Sequence, residues 1–286
     1  MSAPRVTVII ATYNRSRVLP FAINSVLGQT LQDFELLVVG DGCTDDSEQV
    51  VGSIKDPRVR WINLPSNTGH QSGPNNRGLQ EARGEYIAYL GHDDIWLRHH
   101  LERTIGILAA TGADISHSLL VLVPPGAEVG LPFLPKPQLG HGGPPSCRVH
   151  RRRVAEKIGG WRDYRSISLA PETDYFMRAC EAGFGDVFVP HLTVIKFPAL
   201  LRKNVYLDQS DREQAEWTRR ISSEADFETA HLVRMIEAIA RDLPHEMPIR
   251  RLIGTFFHEI AKRAKARLLR TRRGAQIAHA RKYKGL

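Results

Sequence analysis

Residues 86–97 read YIAYLGHDDIWL, an apolar run that ends in a glycine, a histidine and two adjacent aspartates. Tyr86 to Leu90 has the length and composition of a short buried strand, and we expect a helix to begin soon after Asp94. Ligands of open α/β sheets bind beyond the carboxyl ends of the strands, where Asp93 and Asp94 would lie. Two like charges ~4 Å apart repel by about 4 kcal/mol at an intermediate dielectric unless a cation lies between them. The stretch therefore predicts a divalent metal site, or alternatively a helix N-cap followed by a first-turn acid.

The residues before this stretch alternate between strand-like and helix-like patterns. The predicted strands lie at 6–11, 34–39, 59–65 and 86–90, and the predicted helices at 15–29, 47–54 and within 73–86. Strands that alternate with helices indicate a parallel sheet with right-handed crossovers. The strand ends that carry Thr12, Asp41 and Asp93 then lie along one edge. This edge favours a nucleotide site in a crevice.

Polar motifs lie at the ends of three predicted strands. Residues 12–14 read T-Y-N, residues 39–45 read V-G-D-G-C-T-D and residues 84–94 read G-E-Y-I-A-Y-L-G-H-D-D. Taken together and in this order, they resemble the T-Y-N, V-D-D-G-S-T-D and G-E-Y-I-x-x-L-D-x-D-D motifs of the inverting family 2 glycosyltransferases, which have the GT-A fold. The resemblance covers about residues 5–200. It implies an α/β protein with a mostly parallel central sheet, a nucleotide-binding half at about 1–115 and an acceptor-binding half at about 116–207.

The same resemblance implies a site for a nucleoside-diphosphate sugar, with UDP- or dTDP-sugars favoured. Asp41 would hydrogen-bond the imide edge of a pyrimidine base, and Asp93 would approach the ribose or the metal. Asp94, with Asp93 beside it, would ligate Mn²⁺ or Mg²⁺ on the diphosphate. Such an ion lowers the barrier to departure of the nucleotide without a proton transfer. The other donor-site residues implied are Thr12, Tyr13, Asn14, Arg15, Asn76 and Arg77.

An inverting transfer also needs a carboxylate that takes the proton of the acceptor hydroxyl on the opposite face of the sugar. Residues 168–185, SLAPETDYFMRACEAGFG, resemble the E-D-x-D-x-x-x-R element that supplies this base. Glu172 matches the catalytic position when the register is counted from Arg178, and Asp174 matches it by residue type. Both remain candidates. The alternative is that these acids only stabilise the amino terminus of a helix that begins at Pro171, through the helix dipole.

The acceptor side resembles the family in a G-G-W turn, so Gly160 and Trp161 would border the acceptor pocket. Trp161 would either stack on a sugar or pack in the core. Residues 123–146 are rich in proline and glycine, and we expect a long irregular loop or hairpin over that side.

Three positions depart from the family pattern. Gly40 and Gly91 stand where the family has an aspartate, and Asn75 stands in place of an arginine. These departures leave open a degenerate relative that keeps the fold as a binding module.

The basic charge of the chain is concentrated in its last residues. Residues 245–286 hold twelve Lys or Arg and two Asp or Glu, a net charge of +10, so residues 1–244 carry −2 of the total of +8. Apolar residues at positions 252–268 recur with a helical period, which predicts an amphipathic helix within a helical extension at 208–286. This helix would contact an anionic membrane surface peripherally, or it would pack on the catalytic domain.

The composition indicates a single catalytic domain with this extension. Three widely spaced cysteines make a disulfide framework unexpected. We find neither a signal peptide nor a run of the ~20 apolar residues that a bilayer span needs, and we expect a cytoplasmic location.

A basic tail without interleaved aromatic residues does not favour nucleic-acid binding. A nucleotidyltransferase is a further alternative, but the first loop lacks a glycine-rich basic signature. We therefore predict a metal-assisted sugar transfer to a glycan, lipid-linked or small-molecule acceptor.

Overall fold

A computed structural model describes residues 3–133, 143–242 and 281–285. Within these ranges the chain forms one mixed sheet with helices packed on both faces. The strands are β1 (Val6–Thr12), β2 (Phe34–Gly40), β3 (Val59–Asn63), β4 (Tyr86–Gly91), β5 (Ile95–Trp96), β6 (Ile115–Leu122), β7 (Leu131–Phe133), β8 (Arg148–Arg151) and β9 (Asp186–Lys196). The helices are α1 (Leu19–Leu27), α2 (Ser47–Ser53), α3 (Ser72–Glu81), α4 (His100–Thr111), α5 (Arg152–Ile158), α6 (Pro171–Glu181), α7 (Val205–Asp208), α8 (Arg212–Ser223) and α9 (Phe227–Asp242).

The strand order is β3-β2-β1-β4-β8-β6-β9-β5, and β7 pairs with β6. The first four strands in this order are parallel, as alternating strands and helices require. Strand β8 runs antiparallel to both β4 and β6, whereas β6 and β9 are parallel. The four predicted strands and the predicted fold class are confirmed. The second half of the sheet is mixed because β8 enters it from a long connection rather than from a βαβ unit.

The parallel strands are buried on both faces, as their continuous apolar runs predict. Val8 and Ile10 face a core formed with α1, α2 and α4. Ile9, between them, faces the opposite core, to which α5 and α6 contribute. Helix α3 approaches this second face closely because Gly78 lacks a side chain: a Cβ there would lie 2.6 Å from a methyl group of Ile9.

A third apolar cluster joins the far end of the sheet to the helices that follow it. Trp217 of α8 and Phe227 of α9 are buried against residues of β6 and β9 such as Val121 and Ile195. These two helices belong to the extension predicted at 208–286. The predicted amphipathic helix at 252–268 lies outside the described residues, as do residues 134–142 of the loop or hairpin predicted at 123–146. The described part of that segment includes β7, which pairs antiparallel with β6. Among the described residues no helix is long and apolar enough to cross a membrane.

The segment after the two aspartates differs from the prediction. Helix α4 begins at His100, and residues 95 and 96 instead form the short strand β5. Ile95 and Trp96 pair with Ile195 and Val194 of β9 and are buried, which outweighs any local preference for a helix. The alternative that Asp93 is the N-cap of this helix is therefore wrong, because the helix starts seven residues later.

The register of the parallel strands brings their carboxyl ends to one level. Thr12 lies opposite Gly40, and Ala11 lies opposite Gly91. The segments that follow β1, β2 and β4 therefore begin side by side. At Gly40 a Cβ would lie 2.5 Å from the side-chain oxygen of Asn63, so packing of β3 against β2 accounts for one departure from the family pattern.

Candidate active site

The edge where the parallel strands end contains two adjoining cavities, and Ala11 and Gln71 line both of them. The first cavity, of about 90 Å³, lies beyond β1 and β2; the second, of about 150 Å³, lies beyond β4. Both are smaller than the ~300 Å³ of typical ligand pockets, so a larger ligand has to extend across both. The first is lined by Thr12, Tyr13, Asp41, His70, His92, Tyr206 and Arg281, among others.

Asp41 shapes the first cavity by holding the loop that precedes α3. Its carboxylate accepts hydrogen bonds from the backbone N–H of Thr68 at 2.9 Å, the Thr68 hydroxyl at 2.7 Å and the backbone N–H of Gly69 at 3.2 Å. A carboxylate has about four acceptor positions, so one remains for a ligand. The predicted contact of Asp41 with a base stays a prediction.

Two buried polar atoms of this cavity have no hydrogen-bond partner within the described part of the chain. They are the hydroxyl of Thr12 and Nδ1 of His92. Buried polar atoms are normally bonded, and those that are not call for a water, an ion or a ligand. Burial lowers the pKa of His92, while Asp93 and Asp94 act in the opposite direction. Both atoms mark the cavity as a polar ligand site.

Asn14 and Arg15 are placed to hold the loops of the edge together. Asn14 has a left-handed backbone with φ of 46°, and its side-chain oxygen accepts a hydrogen bond from the backbone N–H of Thr44 at 2.8 Å. Arg15 is buried and donates to the backbone oxygen of Val205. Their side chains thus connect the loop after β1 to the loop after β2 and to α7. Tyr13 lines the cavity and packs near the ring of Tyr206.

The second cavity brings Glu172 close to the strand ends. Its lining includes Asn75, Tyr89, Glu172 and Lys196, and Gln71 donates to the Glu172 carboxylate at 3.4 Å. The side-chain nitrogen of Asn75 and the hydroxyl of Tyr89 have no hydrogen-bond partner among the described residues. This cavity therefore also offers unsatisfied polar groups, with a carboxylate beside them.

Asp174, the other candidate base, lies in an ion-pair network. Its carboxylate accepts from Arg178 at 2.8 Å and from Arg162 at 3.4 Å, and Arg178 also donates to the backbone oxygens of Ile158 and Gly160. Asp174 is 7% exposed. The geometry gives Asp174 a role in joining α6 to the turn after α5.

Asp94 is enclosed by donors from three other segments. Its carboxylate accepts hydrogen bonds from the Ser146 hydroxyl at 2.5 Å, from Lys196 Nζ at 2.8 Å and from the backbone N–H of Phe197 at 3.1 Å. Its side chain is fully buried. Gly91 permits this arrangement, because a Cβ there would lie 2.7 Å from Asp94 Oδ2 and 3.2 Å from Asp93 Oδ1.

A divalent ion bound directly by Asp94 does not fit these contacts. The lysine ammonium already takes the position beside Oδ2, and Oδ1 is bonded to a backbone N–H. In the parts of the chain that the structure describes, no group of three His, Cys, Asp or Glu side chains could hold a metal ion. Burial alone would raise the pKa of Asp93, but His92, Lys196 and Arg15 hold it below its usual value, so Asp93 is ionised.

The remaining predicted residues have contacts away from the two cavities. Asn76 forms two hydrogen bonds with the backbone of Trp161, at 2.7 and 2.8 Å. Arg77 is ion-paired with Glu81 at 2.7 Å. The Trp161 ring is 3% exposed and stacks on Tyr175, with ring centroids 4.7 Å apart. At Gly160 a Cβ would lie 2.3 Å from Asn76, so this turn needs glycine. The G-G-W turn is thus fixed by Asn76, and the indole packs in the core.

The structure adds residues that the sequence did not single out for the site. Lys196, Ser146, Tyr206 and Arg281 come from segments far along the chain, and no local motif marks them. Asn75 differs: the resemblance placed it at a family position, and it lines the second cavity, whereas its neighbours Asn76 and Arg77 do not.

Comparison with known sequences finds a family model that matches less than half of the chain. Residues 7–124 match the model of a family described as glycosyl transferase family 2. An uncharacterized glycosyltransferase of Nostoc is 40% identical over 121 residues, which are 41% of this chain and 37% of that one. The succinoglycan biosynthesis protein ExoO of Rhizobium meliloti is 40% identical over 113 residues, 40% of this chain and 32% of its own length. The Escherichia coli UDP-Glc:alpha-D-GlcNAc-diphosphoundecaprenol beta-1,3-glucosyltransferase WfaP is 32% identical over 113 residues, 40% of this chain and 45% of that protein. The chain spans less than half the length of each of these relatives.

Solved structures agree on the fold over a longer stretch. Staphylococcus aureus TarS 1–349 in complex with UDP-GlcNAc has a TM-score of 0.60 at 18% identity, and covers 79% of this chain and 69% of that one. The mannosyltransferase PcManGT of Pyrobaculum calidifontis, in complex with GDP-Man and Mn²⁺, has a TM-score of 0.55 at 16% identity, and covers 99% of this chain and 88% of that one. At these identities the likeness concerns the fold alone.

Proposed function

We propose that this chain, whose residues 7–124 belong to glycosyl transferase family 2, transfers a sugar from a nucleoside diphosphate to an acceptor hydroxyl with inversion. The family and the GT-A fold predicted from the sequence are confirmed. The observation that carries the proposal is the pair of adjoining cavities at the strand ends. Polar atoms without a hydrogen-bond partner among the described residues line both cavities, and Glu172 lines the second.

The first cavity suits the nucleoside of the donor. The Thr12 hydroxyl can donate and accept hydrogen bonds, and Asp41 has one acceptor position left. The edge of a pyrimidine base and a ribose carry the matching donors and acceptors. A UDP-sugar is the donor we favour, because the Escherichia coli relative is named for UDP-Glc and TarS was solved with UDP-GlcNAc. The diphosphate would then extend towards Asp93 and the second cavity.

Glu172 is the group we assign to take the proton of the acceptor hydroxyl. Its carboxylate lines the cavity beyond β4, and the one contact at hydrogen-bond distance with a described side chain is the long one with Gln71. A base must lie within hydrogen-bond reach of the proton it removes, so a loosely held carboxylate at the cavity is better placed than one in an ion pair. The acceptor hydroxyl would attack the anomeric carbon on the face opposite the departing diphosphate, which inverts that carbon without a covalent intermediate.

The sequence prediction of Mn²⁺ or Mg²⁺ has support from PcManGT, which was solved with Mn²⁺. The contacts of Asp94 do not fit such an ion, so the proposed reaction includes no step through a metal. For the acceptor, the relatives named for succinoglycan biosynthesis and for a diphosphoundecaprenol-linked sugar favour a polysaccharide or a lipid-linked glycan. A lipid-linked acceptor would agree with peripheral membrane contact through the basic carboxyl-terminal residues.

Thermal stabilisation by UDP, dTDP, GDP and CDP tests the donor site. We expect UDP to raise the melting temperature in a concentration-dependent way, since a ligand that binds only the native state stabilises it by about 2.7 kcal/mol at 100 times its Kd. Thr12→Val, which keeps the shape of the side chain but removes the hydroxyl, should weaken the UDP response without lowering the melting temperature of the free protein. Absence of a shift with all four nucleotides would refute the donor site and favour a non-catalytic binding module.

The neighbouring residues Asn75 and Asn76 provide a matched test of the site boundary. Asn76→Ala removes two hydrogen bonds to the Trp161 backbone and should lower the free energy of unfolding by about 1–3 kcal/mol while leaving UDP affinity unchanged. Asn75→Ala removes a side chain that lines the second cavity and should weaken donor binding with little loss of stability. Urea unfolding and donor titration measure both effects. The reverse pattern would show that Asn76, and not Asn75, faces the donor.

A further inference from the structure

Lys196 is the last residue of β9 and lies at the centre of the acidic groups of the site. Its ammonium is 2.8 Å from Asp94 Oδ2, and the two residues are 102 positions apart in the chain. Burial alone would lower the pKa of Lys196, but Asp94 and Asp93 outweigh it and raise the pKa above its usual value. The side chain is therefore a fixed positive charge at neutral pH, next to the two adjacent aspartates.

The contacts of Asp94 indicate that the ammonium of Lys196 is the cation that neutralises the two adjacent aspartates. Each carboxylate oxygen of Asp94 already accepts at least one hydrogen bond, and the side chain has no exposed surface. Three of the about four acceptor positions of the Asp94 carboxylate are thus used, and one remains on Oδ1. Hard ions such as Mg²⁺ keep several water molecules, so a fully buried carboxylate does not suit such an ion. The ammonium of Lys196 thus supplies the cation that two neighbouring carboxylates need.

Lys196 also faces the cavity in which a diphosphate would lie. Its side chain is 21% exposed and lines the second cavity together with Glu172 and Gln71. An ammonium group has three donors, and the bond to Asp94 uses one of them. Two N–H groups therefore remain for oxygen atoms in the cavity.

Further positive charge comes from the end of the chain. Arg281 lines the first cavity and donates to the backbone oxygen of Gly69 at 3.1 Å. Lys284 is half-buried, and burial together with Lys196 and Arg281 lowers its pKa, although Asp93 and Glu172 act in the opposite direction. Arg281 and Lys196 thus place one cationic side chain in each of the two adjoining cavities. A ligand with two phosphate groups matches this charge.

We propose that Lys196 binds the diphosphate of the donor in the place of a divalent metal ion, so that this chain binds its nucleotide without a metal. This inference rests on the proposed function, because it assigns the group that contacts the donor of that reaction. Lysine is a point charge that suits a phosphate oxygen, and an ammonium held by Asp94 needs no reorganisation when the nucleotide departs.

Titration with MnCl₂ and with UDP tests the proposal on the full chain, with wild-type protein, Lys196→Met and the double variant Lys196→Met/Asp94→Asn. For the wild type we expect no bound Mn²⁺ in electron paramagnetic resonance, and the same UDP affinity in EDTA and in Mn²⁺. Lys196→Met removes the ammonium, so this variant should bind UDP about 10- to 100-fold more weakly in EDTA. It should still bind no Mn²⁺, because Asp94 stays buried and bonded to Ser146 and Phe197. The double variant has neither charge, and it should bind no Mn²⁺ and show the same weak UDP binding.

Two results would overturn the proposal. One is a wild-type protein that binds Mn²⁺ and needs it for UDP. The other is a Lys196→Met protein whose UDP affinity in EDTA equals that of the wild type. If Lys196→Met does not fold, the UDP affinity of the double variant is compared with that of the wild type instead. The double variant leaves no unpaired buried charge, because both partners of the ion pair are replaced. The Mn²⁺ titration of the free protein needs no nucleotide. A wild-type protein that binds no nucleotide would refute the proposed function, whereas a wild-type protein that binds UDP only when Mn²⁺ is bound would refute the role of Lys196.

Discussion

Glu172→Gln is expected to lower the turnover of sugar transfer by about 10²- to 10⁴-fold, the usual contribution of a general base. Glutamine keeps the size of the side chain and can retain a hydrogen bond to Gln71, but it cannot take the proton of an acceptor hydroxyl. Donor affinity should change little, since the carboxylate acts on the acceptor. Single-turnover assays with the donor found in the nucleotide screen measure the effect, and a UDP titration of the same variant shows whether its donor site is intact.

Asp174→Asn is the matched control on the same turn of α6. Asp174 accepts from Arg178 and Arg162, so the amide should lower the free energy of unfolding by about 1–3 kcal/mol through the lost ion pairs. Turnover of the folded protein should stay within a few-fold of the wild type. If instead Asp174→Asn abolishes turnover and Glu172→Gln does not, the two acids have the opposite roles.

The sequence could not choose between these acids because both criteria are local. Register favoured Glu172 and residue type favoured Asp174. The two acids differ in their surroundings because Asp174 is ion-paired with Arg178, one helical turn later, and with Arg162 in the turn before α6. A salt bridge between residues four apart on a helix can be foreseen from spacing alone. The loose contact of Glu172 with Gln71 joins residues 101 positions apart and cannot.

The parallel half of the molecule could be predicted from the sequence in detail. Each of its strands is a continuous apolar run bounded by polar residues, and alternation with helices fixes the direction of the strands. Equal register at the strand ends then brings Thr12, Asp41 and Asp93 to one edge. For these three residues, their place just after a predicted parallel strand is enough to locate them at this edge of the sheet.

The other half of the site depends on long-range packing. Ser146 and Lys196 contact Asp94 because β8 inserts antiparallel beside β4 and β9 returns to the same edge. Tyr206 and Arg281 line the first cavity from segments beyond the sheet. No periodicity in the sequence specifies such an arrangement. From the sequence we therefore predict a divalent metal between the two carboxylates, whereas in the structure Lys196 is ion-paired with one of them.

The substitution Asp94→Ala is expected to destabilise the protein by about 3–5 kcal/mol, the cost of removing one partner from a buried ion pair. A residue that served only to bind a ligand could be replaced without loss of stability. Asp94 differs from such a residue, since the alanine would leave the Lys196 ammonium, the Ser146 hydroxyl and the Phe197 N–H without their acceptor. Urea unfolding measures the change.

Asp93→Ala is the control for this prediction, since the neighbouring carboxylate forms no ion pair with a described residue and is 9% exposed. It should cost clearly less stability than Asp94→Ala, because no buried cation loses its partner. Equal losses for the two variants would contradict the ion pair as the source of the effect. An additional Lys196→Met substitution in the Asp94→Ala background should recover part of the stability, since it removes the buried charge that the alanine leaves unpaired. Recovery in that double variant, without a similar gain from Lys196→Met in the Asp93→Ala background, would locate the stabilising contact at Asp94 rather than at the acidic pair as a whole.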